Sequence, residues 1–390
     1  MKITIAAPAW PYRGGIAEFS NRLAMQFLSE GNNVDIITFR LQYPGFLFPG
    51  KTQYTDSAAP EKLKISRRLN SVNPLNWISE GWKIRKQKPD VLLLRFWLPF
   101  MGPCLGTIAR IARSNHHTKV ICIFDNVVPH EKRPGDKILT KYLVNSIDGA
   151  VVMAGSVGEE LRMFRDDIPV KMNSHPLFDN YGKGVPAGEA LSALNLDPGY
   201  RYLLFFGFIR AYKGLDLLIE ALSLERLKNK KIRLVVAGEF YEDKEKYNGL
   251  VKEYGLESDI IFHDHFIKDS NVPNYFSIAD LVVQPYKSAT QSGVTQIAFQ
   301  YSKPMLVTDV GGLREIVSHG KCGYVVQPDP VAIAESIADY FDNNRKASFT
   351  ECVVKEKEKF SWDKMTATIA EVYKLTSKDT KVSNREHKGS

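Results

Sequence analysis

The sequence predicts an α/β protein built as two doubly wound, parallel-sheet domains facing across a cleft. Three observations carry that expectation. The chain has 390 residues, and domains run to about 100–200 residues, so two is the default number. Apolar runs of strand length alternate with helical periodicity along most of the chain, the signature of parallel sheets with crossover helices. The alternation starts twice, at the N-terminus and again near residue 200. With 44% hydrophobic and 25% charged residues, composition sits near the globular average and excludes a disordered chain, a fibre or a small disulfide scaffold.

The first set opens with Lys2–Ala7, short, apolar and β-branched, and a loop from Pro8 to Gly15. Ile16, Phe19, Leu23, Phe27 and Leu28 then recur at helical spacing until Gly31-Asn32-Asn33, and Val34–Phe39 is the next strand. That is a βαβ unit with a right-handed crossover. Val91–Leu94, Val120–Phe124 and Ala150–Met153 read as buried strands, and Lys137–Val144 as a helix. Between residues 40 and 75, Pro44, Pro49, Pro60 and Pro74 leave room only for a short helix.

The second set alternates strands Tyr202–Phe206, Ile232–Val236, Ile260–Phe262, Leu281–Gln284 and Met305–Thr308 with helices Gly214–Leu222, Lys244–Tyr254, Val272–Ile278 and Thr295–Tyr301. The Gly- and Pro-rich stretch Asn180–Pro198 is the expected linker. Residues 1–185 are thus expected to form one domain and 186–360 the other. Trp362, Met365, Ile369, Val372 and Tyr373 mark a helix over 361–376 that returns to the N-terminal domain. The polar residues 377–390 are expected to be disordered.

Cys104, Cys122, Cys322 and Cys352 stand apart, with no Cys-x-x-Cys pair. Neither a zinc site nor a disulfide framework is expected, and the thiols point to a reducing compartment. The N-terminal apolar run meets Pro8 and Pro11 too soon for a secretory signal. No run approaches the ~20 apolar residues of a membrane span. These features read as cytoplasmic.

Net charge is +8, from 52 Lys and Arg against 44 Asp and Glu. Lys51–Asp90 holds nine cations and four acids, +5 of that excess, interleaved with Trp77 and Trp82. Such a segment suits the inner, anionic face of a membrane or is simply a solvated basic face with core tryptophans. No nucleic-acid module is recognisable.

Strand-end loops carry the candidate chemistry. Gly14-Gly15 opens the first helix, as an anion-binding turn or an ordinary one. Phe205 to Gly214 contains Arg210 and Lys213, two cations at a strand end where ligands of open α/β sheets bind. Ser288 to Val294 offers small and hydroxylic residues at a helix start, as a cap or an anion cradle. Ala237-Gly238-Glu239 and Thr308 to Glu315 are further loops of this kind. In the first domain Asp125, Asn126 and His130 follow a strand, placed for proton handling or for an Asx turn.

The constellation resembles the retaining GT-B glycosyltransferases of family 4, or group 1. The likeness rests on Gly207–Ala221 and Gln284–Gly323, with Pro8–Leu28 in support, including Lys213-Gly214 and the run Lys303-Pro304 through Gly311-Gly312 to Glu315. It implies a GT-B fold of two Rossmann-like domains and sugar transfer from a UDP- or GDP-linked donor to a glycan or lipid-diphosphate-linked acceptor. No cofactor and no metal are implied. Donor contacts would fall on Gly14, Gly15, Arg210, Lys213, Glu239, Phe266, Gln291, Ser292, Gly293, Val294 and Glu315. Catalytic roles would fall on Asp125, His130, Arg210 and Lys213. The chain departs from the family pattern at three places. Phe208 stands where an Arg is common, and Arg210 is the expected replacement. Ala289 and Ile297 replace the usual pair of glutamates, leaving Glu315 as a candidate for the ribose. Asp125 stands where a His is frequent. The alternatives are a non-catalytic nucleotide-sugar-binding subunit, for which the missing glutamates speak, and a GT-B epimerase. A Rossmann oxidoreductase lacks its G-x-G-x-x-G fingerprint here.

Overall fold

The computed structural model describes residues 1–44, 52–55, 58–128, 133–289 and 292–386, with side chains as far as residue 377. Thirteen strands form two sheets among these residues. The first seven are β1 (Lys2–Ala6), β2 (Asn33–Leu41), β3 (Lys64–Asn70), β4 (Val91–Phe96), β5 (Lys119–Phe124), β6 (Gly149–Val152) and β7 (Val170–Met172). Their order is β3-β2-β1-β4-β5-β6-β7, and every pair is parallel. The second sheet holds β8 (Arg201–Phe206), β9 (Ile232–Ala237), β10 (Ile260–His263), β11 (Leu281–Gln284), β12 (Met305–Thr308) and β13 (Gly323–Val326). It runs β10-β9-β8-β11-β12-β13, again parallel throughout. In each sheet the winding reverses at one place, between β1 and β4 and between β8 and β11. Ligands of open parallel sheets collect at the carboxyl ends of strands beside such a reversal.

Both sheets are covered on both faces, which is why their strands read as continuous apolar runs. Along β4, Val91 and Leu93 enter one core cluster while Leu92, Leu94 and Phe96 enter another. Along β8, Tyr202 and Leu204 alternate in the same way with Leu203 and Phe205. Strand β3 escaped the sequence reading because it is an edge strand. Of Lys64–Asn70 only Leu69 is fully buried, and charges on an edge discourage unwanted pairing.

The chain divides into two units, residues 1–174 with 362–390, and residues 175–361. The division falls before the Gly- and Pro-rich stretch from which the sequence placed it at 185. Phe178, 2% exposed, is already committed to the second core, and the Leu177 N–H donates to the Phe360 carbonyl. The last helix, Trp362–Glu386, packs on the first unit: Trp362 meets Phe19 edge-on at 5.0 Å, and Met365, Ile369 and Val372 are buried there. It contains no Gly or Pro and continues past Ser377, where the sequence predicts disorder, to Glu386. Residues 387–390 lie outside the described residues.

One cysteine expectation is corrected. Cys322 and Cys352 form a disulfide. Thirty residues separate them in sequence, but the start of β13 and the helix Lys346–Glu356 bring their Cα atoms to 5.1 Å. Spacing along the chain could not reveal that, and the argument from thiols to a reducing compartment loses half its residues. Cys104 and Cys122 are free and buried.

Candidate active site

The second unit carries the richest assembly, at the β8/β11 reversal. Beyond Phe206 the chain crosses Gly207 and reaches a short 3-10 turn, Ala211–Lys213, before the helix Leu215–Ser223. Gly214, at φ +70°, joins the turn to the helix. A Cβ there would lie 1.9 Å from the Pro285 carbonyl oxygen, so the loop after β8 is pressed onto the loop after β11. The Lys287 N–H donates to the Tyr212 carbonyl at 2.7 Å across the same seam. The Lys-Gly pair is therefore one device: glycine allows the approach, and the approach places the lysine.

Lys213 is 8% exposed. Its Nζ lies 5.7 Å from the Tyr286 ring centroid. A Cβ added at Gly207 would sit 3.2 Å from that Nζ and 3.4 Å from Val294 Cγ2. Lys213, Gly207 and Val294 thus converge. Burial, aided by the nearby Arg210 charge, pushes the Lys213 ammonium down from 10.5 to about 7. Arg210 lies over the Tyr241 ring, its Cζ 5.0 Å from the centroid. Among the described residues neither cation has a carboxylate within ion-pair distance. Two adjacent cations without a counter-ion repel each other, and a bound anion relieves that repulsion.

The neighbouring loops fix this geometry. Gly238, at φ +150°, passes so close that a Cβ would lie 2.1 Å from the Gly207 carbonyl oxygen. Glu239 is half-buried, and its carbonyl accepts from the Ile209 N–H. Phe266 follows β10 and flanks Phe208 at 6.4 Å between centroids. Glu315, itself exposed, ends the turn Gly311–Glu315 after β12, in which Gly312 and Leu313 are buried.

Ser292 departs from its expected use. Its hydroxyl accepts from Gln284 Nε2 at 2.7 Å and lies 3.3 Å from the Tyr286 hydroxyl, while Thr295 Oγ1 donates to Gln284 Oε1 at 2.8 Å. All four side chains are buried, and burial pushes the Tyr286 phenol up. Ser292 therefore braces the loop through its side chain and does not cap the helix Gly293–Gln300. Gly293 backs against Phe178, whose ring would lie 2.9 Å from an added Cβ. Gln291 lies outside the described residues. Ala289 packs against the core and Ile297 is 5% exposed within it, so the positions of the usual glutamate pair are apolar in structure as in sequence.

On the first unit, Gly14 and Gly15 open the helix Gly15–Ser29 after β1. Asp125 follows β5, and both its oxygens are engaged by Arg95 of β4, at 2.8 Å from Nε and 2.7 Å from Nη2. Arg95 also donates to the Ile16 carbonyl at 3.2 Å and lies 3.9 Å from the Phe19 ring centroid. It is 4% exposed. Sequence reasoning missed Arg95; the signal was an arginine inside the otherwise apolar run Val91–Phe96. The structure thus gives Asp125 a fixed partner that ties β4, β5 and the first helix together. His130 lies outside the described residues. No group of three or more His, Cys, Asp or Glu among the described residues is placed to hold a metal.

Residues 189–374 match the model of the family described as glycosyl transferases group 1. The chain is 25% identical over 288 residues to a D-inositol 3-phosphate glycosyltransferase of Streptomyces coelicolor, covering 71% of this chain and 61% of that one. It is 23% identical over 242 residues to the lipopolysaccharide core biosynthesis mannosyltransferase LpsB of Rhizobium meliloti, covering 60% and 67%. The matched part spans only about half of two further D-inositol 3-phosphate glycosyltransferases, 47% of the Thermobispora bispora protein and 53% of the Streptomyces scabiei protein. Among solved structures, Anabaena HepE in complex with UDP superposes with a TM-score of 0.73 at 16% identity, over 97% of this chain and 100% of that one. Two parallel sheets of this winding are the GT-B arrangement, and residues 189–374 within it match the group 1 glycosyl transferases.

Proposed function

We propose that the protein transfers a sugar, with retention, from a UDP- or GDP-linked donor to a glycan or lipid-linked acceptor in polysaccharide or glycoconjugate synthesis. The observation that carries this reading is the pair Arg210 and Lys213, held at the β8/β11 reversal with no carboxylate partner among the described residues. Breaking the sugar–diphosphate bond builds negative charge on the diphosphate. Preorganised cations and the backbone N–H groups of Ser292, Gly293 and Val294 stabilise that charge as it develops. In this reading Glu239, Phe266, Gln291 and Glu315 complete the donor pocket, with Glu315 as the ribose ligand, and no metal takes part. The departing phosphate assists deprotonation of the acceptor hydroxyl on the face it leaves. Asp125, held by Arg95, and His130 are read as orienting the acceptor hydroxyl toward that phosphate.

The acceptor side is read as lying at the inner face of the cell membrane. The helix Pro74–Gln87 buries Glu80, Gly81 and Ile84 and turns Leu75, Ile78 and Trp82 outward, 77%, 43% and 46% exposed. Exposed Lys83, Lys86 and Lys88 follow toward its C-terminal end. An apolar row beside cations suits an anionic lipid surface. No helix among the described residues is long and apolar enough to cross a membrane. The missing glutamates keep one second reading in play, a subunit that binds nucleotide-sugar without turnover. Membrane fractions, purified protein and a panel of UDP- and GDP-sugars, with and without EDTA, separate the two. Labelled sugar entering lipid or glycan supports transfer. Binding without any product sinks it.

A further inference from the structure

The loops after β8 and β9 stay paired beyond the ends of their strands. The Ile209 N–H donates to the Glu239 carbonyl at 2.9 Å, and the Tyr241 N–H to the Ile209 carbonyl at 3.0 Å. Extended backbone sends alternate side chains to opposite sides. Ile209, fully buried, enters the core with Phe240 packed against the same cluster. Phe208, Arg210 and Tyr241 are left together on the other side. Phe208 stacks on Tyr241 at 4.6 Å between centroids and 26° between planes, and Phe266 flanks Phe208. The Arg210 guanidinium lies 5.0 Å from the Tyr241 centroid. Among the described residues no acceptor or carboxylate holds that guanidinium, so the ring is what orders it.

We propose that Tyr241 is a positioning residue for the donor diphosphate: its ring, braced by Phe208, holds the Arg210 guanidinium beside Lys213 before the donor arrives. This rests on the donor-site reading above. An unanchored arginine loses its rotamer freedom on capturing an anion, whereas a stacked one has already lost it. The planar guanidinium suits both tasks, since it stacks through its face and binds a diphosphate through its edge.

The test is calorimetric binding of inorganic pyrophosphate, UDP and GDP to the full chain, with circular dichroism as the check on folding. Tyr241→Leu is expected to weaken pyrophosphate binding by about tenfold, while Tyr241→Phe stays within about twofold of wild type. In an Arg210→Ala background Tyr241→Leu is expected to add nothing, because the two act as one unit. Arg210→Lys, which keeps the charge and loses the planar stack, is expected to behave like Tyr241→Leu and carries the test if that variant misfolds. Undiminished binding by either variant overturns the proposal, as does an additive loss in the double variant. Wild-type binding that Lys213→Ala abolishes but Tyr241→Leu leaves intact sinks this inference alone. A wild-type chain that binds none of the three probes sinks the donor-site reading with it.

Discussion

Burying an ammonium without a carboxylate costs stability, and Lys213, which has none among the described residues, sits at a strand end where an anion can restore the balance. Its ordinary value of 10.5 falls to about 7 in the folded chain. Between those values the unfolded chain holds a proton that the folded chain lacks, so stability falls as pH drops from 10.5 to 7 and stays low beneath. Lys213→Met should therefore raise the melting temperature at pH 7, and the gain should vanish toward pH 10.5. The same substitution should cut sugar transfer ~100–1000-fold; near-normal turnover would rule out the donor-site assignment. Diphosphate binding favours the charged lysine, so pyrophosphate affinity should be greatest below pH 7 and decline above it. Calorimetry at pH 8 in two buffers of different ionisation enthalpy should register proton uptake that Lys213→Met removes. Arg95 and Asp125 form the opposite case, a buried cation with its carboxylate in place. Losing one partner of such a pair typically costs about 3–5 kcal/mol, whereas replacing both by apolar residues costs far less. Urea melts should show Arg95→Met as strongly destabilising and Arg95→Met with Asp125→Leu as milder. A double variant as unstable as the sum of both singles would contradict a mutual pair.

The loop Gly207–Gly214 shows how an element acquires a site. Its strand supplies the position, its glycines supply close approach, and the neighbouring loop after β11 supplies the wall. Gly214→Ala would add a methyl group 1.9 Å from the Pro285 oxygen at a φ of +70°. That should destabilise the second unit by a few kcal/mol and weaken UDP binding further than Leu217→Ala, at a half-buried position on the helix that Gly214 precedes. Equal melting temperatures for Gly214→Ala and wild type would show that the seam can yield. The helix Pro74–Gln87 is the corresponding element on the first unit. Asn73 caps its start, accepting from the N–H groups of Leu75 and Asn76, so it is a well-formed helix before any lipid meets it. Leu75→Glu with Ile78→Glu should abolish sedimentation with phosphatidylserine vesicles and leave the melting temperature unchanged, since both side chains are exposed. Sedimentation that persists would move the membrane contact elsewhere.

At the scale of the molecule, each sheet is packed between its own pair of apolar clusters, and the probes of the two units separate cleanly. All five tryptophans, Trp10, Trp77, Trp82, Trp97 and Trp362, belong to the first unit, while the disulfide Cys322–Cys352 belongs to the second. Closing a loop of that length restricts the unfolded chain by about 3–4 kcal/mol. Cys322→Ser should therefore lower the transition followed by circular dichroism while leaving the tryptophan fluorescence transition in place. A shift in fluorescence alone would contradict the division.

Most of the architecture could be read from the chain because parallel strands buried on both faces must be apolar without interruption. The runs at β1, β4, β5, β8, β9, β11 and β12 therefore announced themselves, and the loops at their carboxyl ends, with Gly14, Arg210, Lys213, Glu239 and Glu315, followed from the alternation. The charged edge strand β3 did not, since its pattern serves the sheet edge and not the core. Arg95 passed unseen because its meaning lies in Asp125, thirty residues away. Local sequence thus decides which segments become strands and helices, through periodicity and turn chemistry. Packing between distant segments decides the rest. It pairs Cys322 with Cys352, presses Gly214 against Pro285 and turns Ser292 inward to Gln284. It also brings Lys213 and Arg210 together with no carboxylate partner among the described residues.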